Sequence, residues 1–77
     1  FPCLGLAFEA MKRGGNVPCA MNAANEAAVS AYLQDKIRFY DIPDVISRVM
    51  DGVNFVAEPT LEDIFETNRL AFGMARR

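Results

Sequence analysis

Histidine and tryptophan are absent from this chain, and cysteine occurs only at Cys3 and Cys19. Without an imidazole, no histidine-ligated metal site can form, and neither a serine nor a cysteine has its usual activating base. Two thiolates without C-x-x-C spacing fall short of a structural zinc site. They are expected as two buried free thiols rather than a disulfide. No apolar run approaches the ~20 residues of a membrane span, and no signal-peptide pattern opens the chain. A basic face is also missing. Eight Lys and Arg against ten Asp and Glu give a net charge of −2, and only Arg76-Arg77 are contiguous. Neither nucleic acid nor membrane is therefore expected as a partner, and the expected location is cytoplasmic.

What remains is a chain of 77 residues, 52% apolar and 23% charged, the composition of a globular protein. It is expected to form one small domain over residues 1–77. A chain of this size buries only ~60% of its unfolded surface, so its core is thin. Phe1-Pro2 lacks an initiator methionine and suggests a processed chain or a piece of a larger protein.

The hydrophobic period is close to 3.6 almost throughout, which predicts an all-α fold, a small bundle of about four helices. Leu4, Ala7, Phe8 and Met11 mark one face of the first, and Gly14-Gly15 stops it. Pro18 suits the first turn of a second helix running to about Asp35, whose six alanines between Ala20 and Ala31 allow close approach of its neighbours. Lys36–Tyr40 reads as a connector plugged by Ile37 and Phe39, with the possibility of a short extended segment. Asp41 is the expected cap of a third helix, paired with Asp44 in a capping-box-like arrangement. Its stripe of Ile42, Val45, Ile46, Val49 and Met50 is the cleanest in the chain. Gly52 ends it, and Val53–Pro59 forms a linker with apolar anchors of its own. Thr60 and Asp63 cap a fourth helix with an expected inner stripe of Leu61, Ile64, Phe65 and Phe72.

The oddest word lies in the second helix: Asn22-Ala23-Ala24-Asn25-Glu26. Asparagine competes for nearby backbone groups and is a poor helix-interior residue, so two of them imply a specific use of their amides. A catalytic reading makes Glu26 a general base or metal ligand. An architectural reading has Asn22, Asn25 and Glu26 bonding to loops or helix ends. One carboxylate without a histidine or a second acid nearby is a poor catalytic constellation, which favours architecture. The acidic group Glu58, Glu62, Asp63 and Glu66 suits a helix start better than a metal. Gly14-Gly15 lacks the remainder of a phosphate loop, and Ser30 and Thr67 lack a base. No catalytic, cofactor-binding or metal residue is assigned.

The words Phe1-Pro2-Cys3-Leu4, Leu6-Ala7, Glu9-Ala10, Asn22-Ala23-Ala24-Asn25-Glu26, Ile37-Arg38-Phe39 and Asp41-Ile42 occur in an order and spacing that carry a further signal. Together they resemble the C-terminal region of the 1-deoxy-D-xylulose 5-phosphate reductoisomerase family, with Leu61-Glu62-Asp63 and Arg69-Leu70-Ala71 fitting its last helix. Asn68 departs from the aspartate expected in many relatives. The resemblance implies a parent enzyme of the non-mevalonate isoprenoid pathway. Such a parent forms 2-C-methyl-D-erythritol 4-phosphate with NADPH and a divalent metal, Mg or Mn, usually as a homodimer. It further implies that the dinucleotide and metal sites lie in other domains of the parent, which are the expected partners. The chain itself would then bind no cofactor and serve as a catalytically silent C-terminal domain, with Asn22, Asn25 and Glu26 as a structural motif. An independent helical module that binds a partner helix is the alternative, supported by Phe55, Val56, Phe72 and Met74 as apolar supply beyond a small core. A stand-alone metal or thiol enzyme is disfavoured by the missing histidine.

Overall fold

The computed structural model describes residues 2–76. Phe1, from the opening word, and Arg77, from the terminal basic pair, lie outside the described residues. Among the described residues there are four helices and no strand. They are α1 (Pro2–Arg13), α2 (Val17–Leu33), α3 (Ile42–Gly52) and α4 (Leu61–Ala75), with a 3-10 turn at Phe39–Asp41. The all-α expectation holds.

The helix boundaries follow local chemistry. α1 stops because Gly14 and Gly15 take φ of +70° and +58°, a region that costs other L-residues ~1–2 kcal/mol each. α2 begins one residue before Pro18, whose missing N–H is harmless in the first turn. It ends at Leu33, two residues short of the expected Asp35, which has instead turned left-handed at φ +59°. α4 opens on the expected capping box: Thr60 N donates to Asp63 Oδ2 (3.0 Å) and Asp63 N donates to Thr60 Oγ1 (3.1 Å).

The start of α3 differs from the expectation. Asp41 has helical backbone angles, and its side chain makes no cap to α3. Its carboxylate reaches backwards, with Oδ2 accepting from Arg38 N at 2.9 Å, and so closes the 3-10 turn. A carboxylate three residues into a tight turn can satisfy the free N–H at its entry, and here that use displaces the pairing with Asp44. The connector before it is consequently a turn rather than an extended segment. Ile37 packs against the core while Phe39 remains exposed.

α2 lies at the centre and touches α1, α3 and α4. Ala20, Ala23, Ala24, Ala27 and Ala28 are buried along it, which lets the neighbouring helices approach closely. The α3 stripe is buried in full, from Ile42 to Met50. α2 and α4 run in the same direction. Cys19 lies against the Ile64 carbonyl near their starts, and Ala31 and Gln34 share a cleft with Phe72 and Ala75 near their ends. The molecule measures 36 × 23 × 15 Å. The helices form a flattened bundle with α2 packed against each of the other three.

The alanine surface of α2 decides which residues of its neighbours are buried. In α1 the apolar face marked by the sequence is turned outward, with Leu4 56%, Phe8 67% and Met11 76% exposed; Ala10 is the buried residue, flanked by Cys3 and Leu6. In α4, Leu61 is 67% and Phe65 64% exposed and Ile64 is only partly covered, whereas Thr67 and Ala71 are buried and Phe72 packs at the edge of the core. Small side chains take the contact positions because α2 offers an alanine surface, and the larger ones are displaced to the flanks.

The tightest polar junction involves a residue that the sequence did not single out. Asn16 is buried between α1 and α2 and grips the linker that precedes α4. Its Nδ2 donates to Asn54 O (2.8 Å) and Thr67 Oγ1 (3.0 Å), and its Oδ1 accepts from Val56 N (2.9 Å). Its own N–H donates to Val56 O at 3.0 Å. The linker thus meets Asn16 much as a strand meets a neighbour, and Gly15 lies so close to the Val56 carbonyl that a Cβ would overlap it.

Candidate interaction surface

The residues singled out for chemistry are dispersed. Asn22 and Glu26 are exposed on α2 and Asn25 is half-buried beside them. Among the described residues none of the three makes a side-chain hydrogen bond, whereas Asn16, six residues before Asn22, makes three. Asn22, Glu26, Val29 and Leu33 fall within an arc of roughly 60° at 100° per residue, and the buried alanines occupy the opposite side. α2 therefore shows solvent a lane that is polar at its start and apolar towards its end.

The other candidates have local uses. Ser30 Oγ accepts from Gln34 Nε2 at 3.1 Å, and Thr67 Oγ1 accepts from Asn16. Asp63 caps α4, and Glu66 pairs with Arg69, which holds the Glu66 carboxyl below its ordinary range. Cys3 and Cys19 are free and half-buried rather than fully enclosed. The Cys19 thiol donates to Ile64 O at 3.6 Å, and burial pushes its pKa up, away from the thiolate.

Neither a dinucleotide phosphate nor a divalent metal fits the groups present. The Gly14-Gly15 turn is filled by the Val56 carbonyl, which already takes the Asn16 N–H that an anion would need. Among the described residues no three Asp, Glu or Cys side chains converge to hold a cation. A cleft of about 740 Å³ opens where α2, α3 and the end of α4 meet. It is lined by buried Ala27 and Val45 and by exposed Lys36, Asp44, Arg48 and Arg76. Its charges are mixed, and Arg48 Nη2 is already drawn to Met74 O at 3.3 Å. Its Ser30 hydroxyl is engaged by Gln34 rather than by a carboxylate among the described residues.

Contact surface is what the molecule does offer. Leu4, Phe8 and Met11 follow one another at i, i+4 and i+7 on α1, and Leu61 and Phe65 at i and i+4 on α4. Tyr32, Phe39 and Tyr40 stack edge-to-face at the connector, with centroids 5.6 and 5.9 Å apart. Large apolar side chains grouped in this way mark interaction sites. The sequence shows the stripes; it gives no sign of which stripe the domain itself covers.

The family described as DXP reductoisomerase C-terminal domain matches residues 1–72. The chain is similar to 1-deoxy-D-xylulose 5-phosphate reductoisomerase of Acetivibrio thermocellus, with 52% identity over 88% of this chain and 18% of the relative. It is similar to the enzyme of the same name from Synechococcus sp., 48% identical over 92% of this chain and 18% of the relative. The enzyme of that name from Bacteroides fragilis is 49% identical over 99% of this chain and 20% of the relative. The chain thus spans about a fifth of the length of the curated relatives it matches. No solved structure matches it.

Proposed function

The chain belongs to the DXP reductoisomerase C-terminal domain family, and on that premise we propose that residues 1–77 form the non-catalytic C-terminal domain of such an enzyme. Its role is mechanical: it presents helix faces that hold the catalytic part of the same protein in place. The parent enzyme rearranges and reduces 1-deoxy-D-xylulose 5-phosphate in the cytoplasm as a homodimer, and its NADPH and divalent metal are held by its other domains. Asn22, Asn25 and Glu26 belong to the surface that meets those domains. The observation that carries this reading is the mismatch between patterning and burial in α1 and α4. Full burial of a Leu, Phe or Met side chain is worth ~1.5–3 kcal/mol, and here five of them stay more than half exposed. A partner surface recovers that free energy.

The test is an assay of NADPH oxidation with 1-deoxy-D-xylulose 5-phosphate and Mg²⁺ or Mn²⁺. The full-length enzyme turns over, and the 77-residue chain alone is silent. Turnover by the isolated chain would overturn the proposal.

A further inference from the structure

The chain carries a net charge of −2, yet its unpaired cations gather in one place. Among the described residues, Arg13 pairs with Glu9 and Asp51, Arg38 with Asp41, and Arg69 with Glu66. Lys12, Lys36, Arg48 and Arg76 form no ion pair there. Three of these four, Lys36, Arg48 and Arg76, line the cleft where α2, α3 and the end of α4 meet. Of the two carboxylates in the same lining, Asp41 is already committed. Its Oδ2 accepts from Arg38 N at 2.9 Å and lies 3.6 Å from Arg38 Nε. Asp44 sits in the first turn of α3, where the helix dipole favours a negative charge. The rim thus holds three unpaired cations against one uncommitted carboxylate. Arg48 rests on Met74 O at 3.3 Å, a neutral carbonyl and a weaker acceptor than an anion. Arg76 lies with its guanidinium 5.9 Å from the Phe72 ring centroid, at the border of the apolar lining. That lining is formed by buried Ala27 and Val45 and half-buried Ala31 and Phe72.

We propose that this cleft binds a small organic anion, with an apolar body and one carboxylate or phosphate head. The body lies on Ala27, Ala31, Val45 and Phe72, and the head is held among Lys36, Arg48 and Arg76. Three observations select that class. The volume of about 740 Å³ falls within the roughly 300–1,000 Å³ of small-molecule sites. The excess of cations at the rim disfavours a cationic ligand and complements an anionic one. The apolar floor would stay uncovered beneath a hydrated inorganic ion, so the anion carries an organic body. Guanidinium groups match carboxylate and phosphate alike through paired N–H donors, and the two heads therefore share one recognition chemistry. Binding moves Arg48 from a neutral acceptor to a charged one, which makes a stronger hydrogen bond. The site uses none of the exposed stripe residues of α1 and α4, nor Asn22, Asn25 and Glu26. It gives the domain a ligand of its own beside its mechanical role.

The test is isothermal titration calorimetry of the full-length protein that carries this domain, saturated with 1-deoxy-D-xylulose 5-phosphate so that any other phosphate site is filled. The probes are octyl phosphate and octanoate, with octyltrimethylammonium and inorganic phosphate as controls. The expected result is one site per chain for at least one of the two anionic amphiphiles, and the tighter of them identifies the head. The double variant Lys36→Gln/Arg76→Gln changes only exposed side chains, and it should weaken that binding at least tenfold with an unchanged thermal midpoint. Ala31→Phe, which fills the floor, should weaken it as strongly while leaving the cations in place. Absence of binding by both amphiphiles at millimolar concentration overturns the proposal. So does octyltrimethylammonium or inorganic phosphate binding as tightly as the anionic amphiphiles. Binding that is equal in wild type and the double variant places the ligand elsewhere and overturns it as well.

Discussion

Asn16 and the pair Asn22 and Asn25, which begins six residues later, show how differently one residue type can be used. Asn16 is buried, fully partnered, and ties the α1–α2 turn to the α3–α4 linker. Asn22 and Asn25 stand on the outer lane of α2 without a partner among the described residues. Asn16 ties two parts of this domain together; Asn22 and Asn25 make no side-chain hydrogen bond among the described residues. Composition cannot separate them, because the distinction lies in whether the backbone of another element comes within reach. Substitutions at the two places should therefore respond to different things: the first to the fold of the chain alone, the second to the presence of the rest of the enzyme.

The largest effect should come from the support of Asn16. Gly15→Ala places a methyl group against the Val56 carbonyl at a left-handed φ of +58°. Conformational strain and overpacking together cost about 3 kcal/mol. Urea denaturation of the 77-residue chain should show the midpoint fall by most of the native stability. Gly14→Ala has a similar φ of +70° but nothing within 4 Å, so it should cost about 1–2 kcal/mol. Equal losses at the two glycines would mean that the Val56 contact is unimportant.

Asn16→Ala should cost about 2–3 kcal/mol in the same experiment. It leaves the Val56 N–H, the Asn54 carbonyl and the Thr67 hydroxyl without their buried partner. Asn16→Asp keeps the acceptor for Val56 N but removes both Nδ2 donations. It should therefore be destabilised too, and more at neutral pH, where its buried charge lacks a cation, than at pH 3. A wild-type midpoint for either variant breaks the comparison at its first term.

The helix stripes carry the same lesson at the level of whole faces. Ile46→Ala, in the centre of the buried α3 stripe, should cost about 2–3 kcal/mol in the isolated chain. Phe8→Ser, at a residue 67% exposed on α1, should change its stability by less than about 0.5 kcal/mol although it removes a larger apolar side chain.

The α3 stripe was legible in the sequence because amphipathicity and burial coincide there: Ile42, Val45, Ile46, Val49 and Met50 form one face and meet one core. The capping box of α4 and the glycine stop of α1 were legible because each is a local hydrogen-bond or φ requirement. In α1 and α4 periodicity reports an apolar face and says nothing of whether its cover is in the same chain. Leu61 and Phe65 were accordingly expected inside. Asn16 was hidden because Gly-Gly-Asn before a helix reads as a turn. Its contacts at Asn54, Val56 and Thr67 are set by packing 38 to 51 residues away, a separation that no local pattern encodes.

The smallest expected effect is the most discriminating. In the isolated chain, Asn25→Ala removes an amide with no hydrogen bond among the described residues and restores the best helix former. Its stability should stay within about 0.5 kcal/mol of wild type, or rise slightly. In the full-length enzyme the same substitution should lower stability by about 1–3 kcal/mol, because the amide is then paired across a covered face. Thermal melts of both proteins, read beside steady-state kinetics, separate the possibilities. A loss of stability already present in the isolated chain would return Asn25 to the interior of this domain. A collapse of turnover in the full-length enzyme with its melt unchanged would make Asn25 part of the chemistry. Only a melt lowered in the full-length protein alone assigns Asn25 to the join between the two parts, and with it the polar word that departs from helix propensity in α2.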